Sequence, residues 1–119
     1  MATVLVVDDS KVMRRNLCKI ISDAGHEVVG EAEDGITAYY AYSKLKPDVV
    51  TMDIAMPDLD GVQSAQKILK SFPEAKIIVV SAQNQQDLVI SAVKAGVKNF
   101  IIKPIKAEKI KQAISDITN

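Results

Sequence analysis

The chain repeats one pattern five times: a short apolar run rich in β-branched residues, a polar turn, then a segment whose apolar residues recur at helical spacing. Thr3–Val7 is nearly continuous in Val and Leu, the mark of a strand covered on both faces. Ser10 suits the N-cap of a helix to about residue 24, with Met13, Leu17, Ile20, Ile21 and Ala24 on one face and Gly25 as its stop. Glu27–Ala32 reads as a second strand. Asp34 and Gly35 open a second helix, in which Ala38, Tyr42 and Leu45 stack before Pro47 ends it. Residues 48–52 form a third strand, and Asp60 caps a third helix that buries Val62, Ala65, Leu69 and Phe72 ahead of Pro73. Residues 75–80 form a fourth strand; Asn84 then caps a helix carrying Leu88, Ala92, Val93 and Ala95 up to Gly96. Asn99–Ile102 is the fifth strand, and 106–117 a last helix with Ile110, Ala113, Ile114 and Ile117 on one face. Strands that alternate with helices over short connections require right-handed crossovers, a parallel sheet and helices on both faces. The expected fold is therefore a single doubly wound α/β domain over residues 1–119, without repeats, linkers or low-complexity segments.

At 119 residues, 48% hydrophobic and 25% charged, the chain has the means to bury about two thirds of its unfolded surface. Its formal net charge is zero, which disfavours binding to nucleic acid by charge alone. The first apolar run starts without a basic n-region and stops at Asp8, so neither a signal peptide nor a membrane helix is expected. One cysteine, Cys18, excludes an internal disulfide and suits the cytoplasm; it reads as packing or neutral surface. The only histidine, His26, follows Gly25 in a turn with no metal-ligand spacing around it, and is expected to be solvated.

What distinguishes the five strands is how they end. In a parallel sheet every strand C-terminus lies on one edge, where ligands bind at a topological switch point. Asp8 and Asp9 follow the first strand, Asp53 the third, Ser81 the fourth and Lys103 the fifth. Each has an ordinary reading: Asp8, Asp9 and Ser10 as a helix cap, Asp53 and Ser81 as turn starters, Lys103 as an edge charge before Pro104. Their coincidence on one edge favours a site. Three neighbouring carboxylates repel one another unless a cation neutralises them, and an all-oxygen donor set suits Mg²⁺. A carboxylate is also a competent nucleophile toward phosphorus, and phosphoryl transfer asks mainly for positioning and charge neutralisation.

These residues resemble the receiver domains of response regulators, and more closely the single-domain, CheY-like members of chemotaxis. The likeness covers essentially the whole chain. It rests on the run from Val4 through Asp8, Asp9 and Ser10, on Met52-Asp53-Ile54-Ala55-Met56-Pro57 with Asp60-Gly61, on Ser81-Ala82, on Ala95-Gly96 and on Lys103-Pro104. It implies a flavodoxin-like sheet of order 2-1-3-4-5. It also implies that Asp53 accepts a phosphoryl group from a phosphohistidine on a CheA-like histidine kinase. Asp9 would bind Mg²⁺ directly (Mn²⁺ can substitute), Asp8 largely through water, and the Ala55 carbonyl would complete the protein ligands with Asp53. Ser81 would hydrogen-bond the phosphoryl group and Lys103 pair with it, and the peptide before Pro104 would be cis. Phe100 matches an aromatic switch whose ring turns inward on activation; its other reading is a core aromatic. The variable positions two residues beyond Asp53 and Ser81 are Ala55 and Gln83; Gln83 is able to orient a hydrolytic water and Ala55 is not, which implies slow to moderate self-hydrolysis and a use for a phosphatase.

The implied chain is a cytoplasmic monomer that catalyses its own phosphorylation without being an enzyme in the usual sense. Its output surface would be the fourth helix, fifth strand and fifth helix, where either one of Val89 and Ile90 is exposed beside Lys94 and Lys98 or both pack inward. A flagellar motor switch protein is the family-level target. A phosphate shuttle or sink in a longer relay, and a phosphorylation-independent interaction module, are the alternatives. A haloacid-dehalogenase-like phosphatase is disfavoured because Ala55 stands where a second acid is wanted. A flavin carrier is disfavoured because the first loop is acidic and the chain lacks Trp.

Overall fold

A computed structural model describes residues 1–54, 61–82 and 86–118. The elements follow the expected alternation: β1 (Thr3–Val7), α1 (Lys11–Asp23), β2 (Glu27–Ala32), α2 (Gly35–Leu45), β3 (Val49–Asp53), α3 (Gly61–Ser71), β4 (Ile77–Ser81), α4 (Gln86–Ala95), β5 (Asn99–Ile102) and α5 (Ala107–Thr118). The strands are all parallel, in the order β2-β1-β3-β4-β5. The period-two alternation of strand side chains sorts the apolar residues into two cores. Leu5, Val7, Val50, Met52, Ile77 and Val79 face α2, α3 and α4, whose Ala38, Tyr42, Val62, Ala65, Ile68, Val89 and Ala92 pack on them. Val4, Val6, Val49, Ile78 and Ile101 face α1 and α5, meeting Leu17, Ile21, Ile110, Ala113 and Ile114.

The helices begin and end where local chemistry dictates. Ser10 caps α1, its side chain accepting from the Met13 N–H, and Asp34 caps α2 by accepting from the Thr37 N–H. Gly25, at φ 89°, supplies the left-handed residue that closes α1. The end of α2 is set by Lys46, not by Pro47 alone: Lys46 sits at φ 45°, ψ 58° and donates its N–H to the Tyr42 carbonyl. The expected caps Asp60 and Asn84 lie outside the described residues.

Burial departs from the expected faces at several positions. On α1 only Leu17 and Ile21 are fully covered, with Ile20 packed at the margin. Leu45 and Val93 are exposed, whereas Ile68 and Val89 join the buried residues of their helices. Leu69 and Phe72 lean on the core from its edge, Phe72 against Tyr42 with ring centroids 5.0 Å apart. A stripe of apolar residues wider than the contact it makes leaves its flanks in water. His26 is not simply solvated. Its Nδ1 accepts from the Ala2 N–H at 2.9 Å, tying the start of β1 to the α1–β2 turn. Asp48, expected to open β3, instead pairs with Thr3, accepting from its N–H and donating to its hydroxyl, each at 2.9 Å.

Two strand ends matter for the site. Asp53 and Ser81 are the last residues of β3 and β4, paired in the ladder with Val80 and Ile102, and do not stand just beyond the strands as expected. A carboxylate and a hydroxyl are thereby held by hydrogen-bonded backbone.

Candidate functional site

Asp8, Asp9 and Asp53 each offer a carboxylate oxygen to one point, all three oxygens lying within 4.8 Å of one another. Asp8 and Asp53 are buried, at 1% and 4% exposure, while Asp9 is exposed at the mouth. The Asp8 backbone is held on both sides: its N–H donates to the Ala32 carbonyl at 3.0 Å and its carbonyl accepts from Arg14 Nη1 at 2.7 Å. Its Oδ1 accepts from the Ser10 N–H at 2.9 Å, but its buried Oδ2 has no hydrogen-bond partner among the described residues. The result is a carboxyl group pushed up from 3.8 to about 6. Burial is the largest cause, repulsion from Asp53 and Asp9 adds to it, and the Ser10 N–H and the Lys103 charge oppose it.

Lys103 comes from the residue after β5, and its Nζ stands 3.8 Å from Asp53 Oδ1. At that distance the two are an ion pair without a short hydrogen bond, partly open to water on the lysine side. The Lys103 N–H donates to the Ser81 carbonyl at 2.7 Å, so the β4–β5 ladder continues to the residue that carries the ammonium. The Lys103–Pro104 peptide is cis. Ser81 is fully buried, and its hydroxyl has no hydrogen-bond partner among the described residues. Phe100, on β5, is 43% exposed and is not a core aromatic. Ala55 and Gln83 lie outside the described residues.

A glycine completes the support of Asp53. Gly61 opens α3 and donates its N–H to the Ile54 carbonyl; a Cβ there would stand 2.5 Å from Ile54 Cα and closer still to the Asp53 carbonyl oxygen. No other residue allows α3 to start against the backbone of the acid. In the sequence Gly61 stands out only as part of Asp60-Gly61, and nothing in the local composition signals the close approach. Arg14 was also missed, because one arginine on a helix resembles any solvated charge.

The donor set fits a hard divalent cation. It is all oxygen, and Asp8 Oδ2, without a hydrogen-bond partner, is one of the atoms a cation would satisfy. A buried carboxylate, two further acids and one ammonium at the carboxyl edge of a doubly wound sheet describe a class of α/β domain suited to handling phosphate through a nucleophilic aspartate.

The model of the response regulator receiver domain matches residues 4–115, and the chain belongs to that family. Over nearly all its length it is also similar to the Chemotaxis protein CheY of Thermotoga maritima, at 49% identity over 115 residues, covering 97% of this chain and 96% of the relative. Among solved structures, the CheX-CheY-BeF3-Mg+2 complex from Borrelia burgdorferi matches with a TM-score of 0.93 and 32% identity, over 98% of this chain and 89% of that one. The response regulator domain of Thermotoga maritima CheB matches with a TM-score of 0.89 and 37% identity, over 97% and 94% of the two chains. The chain is thus a CheY-like receiver domain of two-component signalling.

Proposed function

We propose that Asp53 accepts a phosphoryl group from the phosphohistidine of a CheA-like kinase, and that the modified chain then engages a chemotaxis target of the flagellar motor-switch kind. The observation that carries this reading is the buried Asp53 carboxylate, inside a cluster of acids and 3.8 Å from the Lys103 ammonium. Asp8, Asp9 and Asp53, with the Ala55 carbonyl, are the residues that would hold Mg²⁺ or Mn²⁺. When bound, the ion supplies charge neutralisation for the acids and the phosphoryl oxygens.

The remaining chemistry belongs to the chain. An Asp53 carboxylate oxygen attacks phosphorus; the O–P bond forms as the N–P bond breaks, and the electron pair stays on the imidazole nitrogen, which takes a proton from solvent. Lys103 turns from the carboxylate to a phosphoryl oxygen, a change a compact ammonium on a flexible stem makes easily. Ser81, whose buried hydroxyl lacks a partner, donates to another phosphoryl oxygen. The shift of Ser81 opens room for the Phe100 ring to leave solvent. Gln83 orients the water that later hydrolyses the acyl phosphate; Ala55 brings no polar group to that task, so the phosphate persists long enough for a phosphatase to be useful.

The face through which the chain acts is α4–β5–α5. Ile90, Val93, Phe100 and Ile102 are exposed there, with Val89 turned inward, and Lys94, Lys98 and Lys106 are exposed on the same elements and the segments that join them. An apolar patch with a lysine rim suits an acidic partner carrying apolar anchors, and favours an output role over a phosphate shuttle. The work takes place in the cytoplasm on a monomer. Among the described residues no helix is long and apolar enough to cross a membrane.

The test is the intact mass after brief exposure to acetyl phosphate, with and without Mg²⁺. Gain of one phosphoryl group, dependent on Mg²⁺ and absent in Asp53→Asn, is expected. No gain, together with no binding of beryllofluoride, overturns the proposal.

A further inference from the structure

We infer that Arg14 is a positioning residue for the acid cluster: its guanidinium sets the plane of the Asp8–Asp9 peptide and thereby aims Asp9 at the bound cation. This rests on the reading of Asp8, Asp9 and Asp53 as a divalent-cation site. Arg14 lies one turn into α1, and its side chain is only 14% exposed. Nη1 donates to the Asp8 carbonyl at 2.7 Å, and Nε donates to Glu31 Oε1 on β2 at 3.1 Å. One planar fork therefore joins the loop carrying the acids to the neighbouring strand, and Glu31 fixes the fork's rotation.

The carbonyl gripped by Nη1 belongs to the peptide linking Asp8 to Asp9. A peptide is planar, so holding its oxygen fixes the direction in which the Asp9 Cα leaves. The other side of the same residue is held by the Asp8 N–H on the Ala32 carbonyl. This matters most for Asp9, whose carboxylate accepts no hydrogen bond from the described residues and is exposed. Its aim comes from its backbone.

Charge alone points the other way. A positive charge held on the loop that carries Asp8 and Asp9 opposes the entry of a cation, so an arginine serving only as a charge would weaken the site, and its removal would strengthen binding. Positioning predicts the reverse. The two accounts differ in sign, and damage to folding alone would lower stability without moving affinity in the variant that remains folded.

The experiment is calorimetric titration of Mg²⁺ into the full chain and into Arg14→Lys, Arg14→Gln and Glu31→Gln, beside urea unfolding of each in chelator. Arg14→Lys and Arg14→Gln are expected to weaken Mg²⁺ about tenfold, the usual scale for losing a group that orients a metal ligand. Glu31→Gln keeps an acceptor and is expected to lose less. Arg14→Lys retains the charge, so its loss of affinity separates geometry from electrostatics, and it carries the test if Arg14→Gln does not fold. Affinity unchanged or increased in the folded Arg14 variants overturns the inference. Absence of Mg²⁺ binding by the unmodified chain overturns the cation reading itself, a result visible before any variant is made.

Discussion

Replacing Asp8 by Asn removes one negative charge from a position 1% exposed while leaving the shape of the side chain unchanged. The amide oxygen can keep the hydrogen bond from the Ser10 N–H, and the new NH₂ group replaces Oδ2, the buried atom now without a partner. Where two acids now repel it, a donor will face acceptors. A carboxyl raised from 3.8 to about 6 makes the metal-free fold less stable at pH 7 by about 2–3 kcal/mol. The expected result in chelator is a gain of about 2 kcal/mol in urea unfolding, or about 8 °C in midpoint for a domain of this size. Saturating Mg²⁺ should reverse the ranking. It stabilises the unmodified chain by about 2.7 kcal/mol at a hundred times the dissociation constant and adds little to the variant. A variant less stable than the parent in chelator, or one that keeps the full Mg²⁺ increment, would refute the account of Asp8 as a buried charge awaiting a cation.

Three further outcomes follow from the same coordinates. Gly61→Ala should cost about 2–3 kcal/mol in urea unfolding, because the added methyl meets backbone at Asp53 and Ile54, which cannot yield as a side-chain tip would; a loss below about 0.5 kcal/mol would mean the start of α3 adjusts freely. Lys46→Gly should stabilise by about 0.5 kcal/mol, since relief of the left-handed conformation of an exposed residue exceeds the added freedom of the unfolded chain, and a loss of stability would show that the lysine side chain matters there. Asp8 also sets a pH dependence: the folded state holds its proton to about pH 6 and the unfolded state only to 3.8, so this group makes the metal-free fold less stable as pH rises between those values. Apparent Mg²⁺ affinity, followed by calorimetry, should be level above about pH 7 and fall about tenfold per unit below about pH 6, and a flat profile down to about pH 5 would contradict the shift.

The doubly wound fold and the membership of the acid edge were legible because they depend on coarse features, whereas the strand order 2-1-3-4-5 came only with the resemblance to receiver domains. Alternating strand and helix signals with short connections allow few topologies, and a parallel sheet brings every strand end to one edge. Finer placement was not legible. Asp53 and Ser81 look like residues that end strands, yet each is the last rung of a ladder, because hydrogen bonding continues regardless of the side chain's polarity. Helical periodicity locates an apolar stripe but not how far the neighbouring elements cover it; Leu45 and Val93 fell outside that cover, and Ile68 fell within it. The roles of Gly61 and Arg14 depend on distances between segments remote in sequence, for which local pattern carries no signal.

The site is assembled from terms that each oppose folding. Among the described residues Asp8 is a buried acid with one oxygen without a hydrogen-bond partner and Ser81 a buried hydroxyl without one, and Lys103 is held at 3.8 Å from Asp53 where a shorter pair would be more stable at rest. The central strands β1, β3 and β4 are almost wholly apolar and buried along nearly their whole length, which leaves stability available to tolerate these defects. A shorter Lys103–Asp53 bond and a hydrogen-bonded Ser81 would raise the stability of the resting state and occupy the groups that the proposed function assigns to an incoming phosphoryl oxygen. Thr51 in the middle of β3 and Ser64 on α3 also bury a hydroxyl without a partner among the described residues, so what sets Asp8, Ser81 and Lys103 apart is that they share one edge of the sheet. A ligand that satisfies all of them at once gains from each, whereas the same groups scattered over the molecule would have destabilised the fold without providing any common occupant to offset the cost.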